Sequence, residues 1–313
     1  MRKIRFFLVV ILVLGVTAAA AGYAYDRIAT WRDQRKFPAK GQLVDLGGYR
    51  IHLLCTGQGS PTVLLDAGGF DSLEQWSLVQ PEVAKLTRVC SYDRPGFGWS
   101  DPSPYPQTSR QVVTELHAVL DNAGISGPYL PVGHSIAGLY ARVFTNQYRS
   151  EVVGLVLDDS VHPDEFTRFP SHFPNHPLAF ALLRSTAPLG SARLLHMGCL
   201  QTGAQPDCSK FLVSLLQQVS VVKESYAQAV SSGNLGNLPL IVITHDPNVG
   251  MGKVRKAEEE IIWSQWQEDL ARLSSDSSLL VATGAGHEIQ SEKPEIVIGA
   301  IERMVKQWRD GSR

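Results

Sequence analysis

From residue 42 onward, short apolar runs alternate with longer segments in which apolar residues recur every three or four positions. Several of the short runs are continuous in Val, Ile and Leu, which is typical of parallel strands buried on both faces. The pattern predicts an α/β fold built on a mostly parallel, doubly wound sheet with an early antiparallel hairpin. Eight runs qualify as strands, namely GQLVDLGG, YRIHLLCTG, PTVLLDAG, TRVCSYD, PYLPVG, VVGLVLDD, LPLIVITHD and SLLVATGAG.

The alternation is interrupted between VVGLVLDD and LPLIVITHD, where residues 161–235 contain no strand-like run. This segment is rich in Pro, Phe and His at its start and continues with helical patterns such as SKFLVSLLQQVSVVKESYAQAV. We expect it to form a helical cap over the ends of the sheet, inserted before the penultimate strand, while residues 40–160 and 236–310 form the α/β core. Four cap phenylalanines are expected to line an apolar substrate pocket: Phe166, Phe169, Phe173 and Phe180.

Residues 1–36 form a separate segment that begins with the basic MRKIR and continues without a charge from Phe6 to Tyr25. An apolar run of about 20 residues is long enough to cross a bilayer as a helix. Two interpretations remain open, a cleaved signal peptide processed between Ala18 and Gly22, and an uncleaved membrane anchor. Both predict that the rest of the chain is extracytoplasmic, either membrane-anchored or exported.

Net charge and cysteine content limit which partners and which redox environment are expected for the chain. The formal net charge is −1 and the body of the chain has no basic run, which argues against a nucleic-acid partner. Four cysteines allow three pairings, and export favours disulfides over free thiols. Cys199 and Cys208 lie in one short loop that can close on itself. Cys55 and Cys90 each end a strand-like run, so they can pair if those strands are neighbours.

The stretch PYLPVGHSIAGLY places Ser135 between a predicted strand and a predicted helix. A nucleophilic serine on such a sharp turn usually shows the pattern G-x-S-x-G, because side chains two positions away would meet the adjacent strand and helix. Gly133 satisfies the pattern, and Ala137 is the smallest substitute for the second glycine. The turn would also direct the backbone N–H of Ile136 toward a developing oxyanion. We therefore predict that Ser135 is a nucleophile and that Ile136 contributes to an oxyanion hole.

A serine nucleophile needs a base and an acid from elsewhere in the chain. His287, in GAGHEIQ, follows the last predicted strand, and the preceding glycines let its loop reach across the sheet ends toward Ser135. For the acid we prefer Asp246, which ends the strand before the histidine loop and gives the chain order Ser, Asp, His. Asp159, which ends the preceding strand in VLDDS, is the alternative acid.

A second oxyanion donor is expected from the loop after an early central strand. In VLLDAGGF, Gly68 and Gly69 let the backbone approach a substrate oxygen closely. The sequence leaves open which of their N–H groups, or that of Phe70, points inward.

Four segments of the chain resemble the α/β-hydrolase superfamily. SYDRPGFGWSD is similar to the D-R-x-G-x-G-x-S segment of that superfamily, and VLLDAGGF, GHSIAGLYARVF and GAGHEIQSEKPEIVIGAI follow its order along the chain. The resemblance implies that the strands carrying Cys55 and Cys90 are neighbours, which supports that disulfide. It also implies that Asp93 and Arg94 brace loops and do not take part in the chemistry.

Together, these features predict a serine hydrolase that cleaves a small-molecule carboxylic ester through an acyl-enzyme. No metal or organic cofactor is implied, and the membrane would be contacted through the N-terminal helix. A thioesterase, an amidase or a carbon–carbon bond hydrolase with the same triad remains an alternative. A non-catalytic binding protein on the same fold is the alternative from another class, because a fold does not fix a function.

Overall fold

The computed structural model describes residues 2–173, 176–195, 205–250 and 257–311. Within these ranges, eight strands form one sheet: β1 (Gln42–Asp45), β2 (Arg50–Thr56), β3 (Thr62–Asp66), β4 (Val89–Tyr92), β5 (Tyr129–His134), β6 (Leu155–Asp158), β7 (Leu240–His245) and β8 (Ser277–Ala282). The spatial order is β1-β2-β4-β3-β5-β6-β7-β8. The pairs β1–β2 and β2–β4 are antiparallel and all other pairs are parallel. This sheet confirms the predicted mostly parallel α/β fold, and each of the eight predicted runs overlaps one strand.

Helices cover both faces of the sheet and fill the segment between β6 and β7. Single 3₁₀ turns occur at Leu73–Trp76, Arg149–Glu151, Pro170–His172 and Ala187–Leu189. The α-helices are α1 (Arg2–Lys36), α2 (Gln80–Val83), α3 (Ser109–Asn122), α4 (Ala137–Gln147), α5 (Glu165–Arg168), α6 (Pro177–Thr186), α7 (Ser191–Leu194), α8 (Cys208–Ser220), α9 (Val222–Ser231), α10 (Ala257–Ala271), α11 (Ile289–Glu292) and α12 (Pro294–Gly311).

The carboxyl ends of the central parallel strands meet at one edge of the sheet and bring polar residues together there. In β3, β5, β6 and β7 every residue is buried, which explains their continuous apolar sequences. The register pairs Asp66 with Gly133 and His134 with Asp158, so the chain leaves these strands side by side. Such crevices at strand ends are where open α/β sheets bind ligands.

A disulfide joins Cys55 and Cys90, as predicted. The two residues face each other directly across the antiparallel pair formed by β2 and β4. The second predicted pairing, between Cys199 and Cys208, involves Cys199, which lies outside the described residues.

The segment 161–235, which we call the cap, contains the helices α5 through α9 and no strand among its described residues. Its own small core includes Ala187, Ala192 and Leu212. Helix α1 also packs against the cap, because its residues Asp26 and Thr30 are buried there. The cap and the carboxyl-terminal third of α1 therefore pack as one unit.

Helix α1 differs sharply between its two ends. Its 18-residue apolar window has a mean hydropathy of 2.5 and is not buried at all, so the helix is long and apolar enough to cross a membrane. Large apolar side chains from Ile4 to Val16 are exposed. By length and composition this half fits a membrane-spanning helix, and a signal sequence near the N-terminus fits the same description.

Candidate active site

Ser135 occupies a strained turn between β5 and α4. Its φ angle is +54°, a left-handed conformation that residues other than glycine adopt rarely. A Cβ atom on Gly133 would lie 2.5 Å from the carbonyl oxygen of Ala137, so this position requires glycine. Ala137 itself is fully buried, and its methyl group is accommodated. The turn therefore has the geometry that the sequence predicts for it, despite the alanine.

His287 lies close to Ser135, with its Nε2 3.1 Å from the serine Oγ. It follows β8, and its backbone carbonyl accepts a hydrogen bond of 2.9 Å from Nε2 of His134. Burial, together with the neighbouring His287, lowers the pKa of His134 to about 3, so His134 is neutral at physiological pH. His134 therefore holds the His287 backbone in place.

The carboxylate that contacts His287 belongs to Asp159. Its Oδ2 accepts a hydrogen bond of 2.6 Å from Nδ1 of His287, and the side chain is fully buried at the end of β6. Asp159 also has a positive φ angle of +41°, which directs its side chain toward the histidine loop. The alternative acid of the sequence analysis is thus the one that the structure brings to His287.

The preferred acid, Asp246, is wrong on geometry. Its Oδ1 accepts the backbone N–H of Asn248 at 2.9 Å, which is the bond of an Asx turn, and its Oδ2 accepts the backbone N–H of Gly284 at 2.9 Å. These bonds lower the pKa of Asp246 and fix its side chain in the loop after β7. Asp246 orders the loop and does not orient the imidazole.

Asp159 has a second histidine partner that the sequence analysis missed. Nδ1 of His245 lies 2.7 Å from Oδ2 of Asp159, and its Nε2 contacts Oε1 of Glu260. Both ring nitrogens face carboxylates, which accept and cannot donate, and this arrangement favours the imidazolium form of His245. Burial alone would lower the pKa of His245, but its bonds to Asp159 and Glu260 outweigh that effect and raise it. The sequence signal for this role was a histidine, His245, near the end of a run predicted to be a buried strand.

Asp159 stays ionised despite its burial. Burial would raise its pKa, but hydrogen bonds from His245 and His287 outweigh that effect and hold the pKa below its ordinary value. Its Oδ1 also accepts the indole N–H of Trp263 at 3.0 Å. A carboxylate with this many donors is fixed in both charge and position.

Three backbone N–H groups near Ser135, those of Ile136, Gly69 and Phe70, have no protein acceptor among the described residues. The N–H of Gly68 donates to Oε1 of Gln75 at 2.8 Å, so Gly68 is excluded from the predicted donors. A Cβ on Gly69 would lie 3.5 Å from the Ile136 side chain, which places these two residues next to each other.

The loop that carries Gly68 and Gly69 is braced from behind by Arg94. The fully buried guanidinium pairs with Asp66 and donates to the backbone carbonyls of Ala67 and Gly68. Asp93 accepts the N–H groups of Leu73 and Trp99 at 2.8 and 2.9 Å. The loop-bracing roles expected for Asp93 and Arg94 therefore agree with their contacts.

A cavity of about 700 Å³ lies over Ser135, between the sheet and the cap. Of the four predicted pocket phenylalanines, Phe173 and Phe180 line it. Phe166 and Phe169 do not line the cavity and instead pack against other rings, Phe166 tilted against Tyr226 and Phe169 edge-on against Trp266. The described lining includes no Lys or Arg, whereas it includes three carboxylates: Asp71, Glu165 and Glu288.

Two groups of side chains at the site have the composition of metal ligands. One comprises His134, His287 and Glu288, and the other Asp159, His245 and His287, each with ligand atoms within 4.8 Å of one another. In the second group those atoms already form hydrogen bonds with each other. Hydrogen bonds among Asp159, His245 and His287 therefore account for the arrangement of the second group.

Comparison with known proteins places the site in a family. The sequence model of the alpha/beta hydrolase family matches residues 59–300, which include Ser135, Asp159 and His287. Protein YqjL of Bacillus subtilis is 25% identical over 247 residues, covering 78% of this chain and 83% of that protein. A Schizosaccharomyces pombe protein is 34% identical over 139 residues, covering 36% of this chain. The match spans 26% of the length of the yeast protein.

Solved structures share the architecture. The thermophilic esterase from Thermogutta terrifontis superimposes with a TM-score of 0.57 at 21% identity, covering 85% of this chain and 97% of the esterase. At this identity the likeness concerns the fold.

Proposed function

This chain belongs to the alpha/beta hydrolase family, and on that premise we propose that it is a serine hydrolase that cleaves carboxylic esters through an acyl-enzyme. The observation that carries the proposal is the continuous hydrogen-bonded series from Ser135 through His287 to Asp159. Nucleophile, base and orienting acid in this order are the requirements for acyl transfer by a serine.

In the proposed reaction, His287 takes the proton of Ser135 as the serine oxygen attacks the ester carbonyl. Asp159 holds the imidazole so that Nε2 faces the serine, and it stabilises the imidazolium that forms. The imidazolium then protonates the leaving alcohol, and an acyl-enzyme remains on Ser135. Water, activated by His287, attacks the acyl group and releases the acid.

The tetrahedral intermediates carry a negative oxygen that needs preorganised donors. We assign this role to the N–H groups of Ile136 and Gly69, which have no acceptor among the described residues. Loss of one such donor typically costs about 3–4 kcal/mol of transition-state stabilisation.

The cavity favours neutral or cationic esters with an apolar part. Phe173, Phe180 and Val219 supply apolar walls, whereas Asp71 and Glu288 lie on the polar side. Burial raises the pKa of both carboxyls, and each still adds negative potential when it is ionised. Since the described lining holds no cation, a carboxylate-bearing substrate has no charged partner there.

We also propose that α1 is an uncleaved anchor that holds the catalytic domain outside the cytoplasm. The support is the exposed apolar half of α1 and the packing of Asp26 and Asp33 against cap residues. A signal peptide destined for removal would not be expected to supply buried partners to the mature fold.

Reaction with a fluorophosphonate probe tests the proposal directly. The wild-type chain should become labelled, Ser135→Ala should not, and Ser274→Ala, a buried serine that precedes β8, serves as the matched control. Hydrolysis of an ester series with increasing acyl length should follow the same pattern. If wild-type protein stays unlabelled where a control serine hydrolase reacts, the chain is a binding protein and the enzymatic proposal fails. Esters that resist cleavage while thioesters or amides are cleaved would replace the proposed substrate class.

A further inference from the structure

Helix α1 fixes where the cap stands relative to a bilayer. At about 1.5 Å per residue, the 35 residues of α1 extend about 52 Å, which exceeds the hydrocarbon thickness of about 30 Å. The uncharged run ends at Tyr25, and the exposed cations Arg27, Arg32 and Arg35 follow it. Tyrosines and cations in this order mark the boundary between hydrocarbon and headgroups.

The cap meets α1 at that same boundary. Gly22, in the last turn of the uncharged run, touches the backbone carbonyl of Leu189, and a side chain at Gly22 would collide with it. One turn further on, Asp26 is 2% exposed and accepts a hydrogen bond of 2.9 Å from Ser209. Because α1 is one unbroken helix, no linker separates the apolar run from the contact with the cap.

The contact between the cap and α1 is held by charged groups as well as by close packing. The Arg193 guanidinium lies 2.6 Å from a carboxylate oxygen of Asp33 and 3.3 Å from the hydroxyl of Thr30. The contacts span three turns of α1, from Gly22 to Asp33. The cap therefore cannot swing away from the level of the membrane surface without breaking them.

The cap surface beside this contact is unusually apolar. Five exposed leucines lie between residues 178 and 195, in the segment that also supplies the contact with Gly22. Exposed apolar groups clustered in this way mark an interaction surface. We call them the leucine patch: Leu178, Leu182, Leu189, Leu194 and Leu195.

Helix α6 separates the leucine patch from the cavity. Leu178 is 88% and Leu182 65% exposed, and their spacing of four places them on one face of the helix. Phe180 lines the cavity, and Leu183 packs against the core of the cap. One short helix is thus apolar on its outer face as well as on the face toward Ser135.

We propose that the leucine patch inserts into the surface of the same bilayer that α1 spans. The inference rests on the proposed membrane anchorage, and its occupant is lipid because α1 brings the bilayer to the level of Leu189. Leucine side chains enter the boundary between headgroups and acyl chains, while the cations after Tyr25 face the headgroups. Helix α6 then forms a wall shared by the lipid and the catalytic cavity.

A fluorescence experiment on the full chain in phosphatidylcholine vesicles tests this placement. An environment-sensitive fluorophore is attached at Leu182→Cys or Leu195→Cys, and quenching by nitroxide-labelled phosphatidylcholine is measured. Leu8→Cys reports insertion of α1, and Val281→Cys on the edge strand, 51% exposed, is the matched control. Labelled wild-type protein gives the background, and fluorophosphonate reactivity verifies that each variant is folded.

The expected result is at least a threefold stronger quenching at 182 and 195 than at 281, with strong quenching at 8. Quenching at 8 without quenching at 182 and 195 would overturn the leucine patch as a lipid surface and leave the anchor intact. A patch label shielded from both lipid-borne and aqueous quenchers would assign the surface to another protein chain, which also overturns the proposal. Failure at all three positions would overturn the anchor together with the patch.

Discussion

The carboxylate of Asp159 lies 2.6 Å from Nδ1 of His287, although the two residues are 128 positions apart. If this contact sets the tautomer of the base, Asp159→Asn should lower kcat by about a thousandfold or more, since the amide favours the wrong tautomer. Asp246→Asn should stay within about threefold of wild type, because Asp246 serves a turn. Steady-state ester hydrolysis measures both. A larger loss in Asp246→Asn than in Asp159→Asn would reverse the assignment.

His245 should tune the base through Asp159. His245→Asn removes a positive charge beside Asp159, so the carboxylate of Asp159 attracts the imidazolium form of His287 more strongly. The ascending limb of the kcat/KM profile should move to higher pH by about 0.5–1 unit.

Two further variants serve as comparisons for the pH profile of His245→Asn. Glu260→Gln should move the limb in the same direction but by less, because it weakens the charge on His245 without removing the ring. His117→Asn, on a histidine that stacks on Tyr148 away from the site, should leave the profile unchanged. An unaltered profile in His245→Asn would mean that His245 is structural only.

Asp158 should be a source of instability at neutral pH. Its side chain is fully buried, and neither carboxylate oxygen has a partner among the described residues. Burial and the adjacent Asp159 raise its pKa well above the ordinary value. The unfolded chain ionises this group from about pH 4 upward, whereas the folded chain keeps it protonated, so folding stability falls as pH rises from there toward the folded pKa.

Asp158→Asn removes that penalty. We expect the free energy of unfolding at pH 7 to rise by about 1–3 kcal/mol, and Tm by about 2–4 °C for each kcal/mol. Near pH 3.5 the variant and the wild type should unfold at similar temperatures. Asp310→Asn, on an exposed aspartate, is the control. A loss of stability at pH 7 would show that Asp158 is ionised and solvated in the folded protein.

The two glycines of the oxyanion loop should respond differently to alanine. A Cβ on Gly68 would lie 2.8 Å from Nδ1 of His134, whereas a Cβ on Gly69 would meet the Ile136 side chain at an ordinary 3.5 Å. Because His134 holds the backbone of His287, Gly68→Ala should lower kcat/KM by about 10–100-fold, or about 1.4–2.7 kcal/mol. Gly69→Ala keeps its N–H and should lose less than about fivefold. Equal losses would argue that the added methyl groups act on the substrate and not on His134.

The strands, Ser135 and His287 could be predicted because local pattern determines them. Continuous Val, Ile and Leu runs report burial on both faces, and a serine turn needs small neighbours within the same short stretch. The acid could not be predicted in this way. Asp159 and Asp246 both follow buried strands, β6 and β7, and the choice depends on a left-handed backbone at Asp159 and on donors from β7 and α10.

The pocket residues were less predictable still. Phe166, Phe169 and Phe173 lie in one short stretch, but only long-range packing decides which of them faces the cavity. The role of His245 depends likewise on Glu260, which approaches from α10. Neither the packing of the phenylalanines nor the contact between His245 and Glu260 produces a periodic pattern in the sequence.

The contact between Asp159 and His245 also closes a loop in the chain. After Asp159 the chain leaves the sheet, forms the whole cap and returns along β7 to His245, 86 positions later. There Nδ1 of His245 lies 2.7 Å from Oδ2 of Asp159. Both ends of the insertion are thereby fastened to each other and to the base at one point. Lengthening, shortening or exchanging the cap would change which molecules reach Ser135 without moving the groups that react. We therefore expect the proposed triad to tolerate variation in the cap that surrounds it.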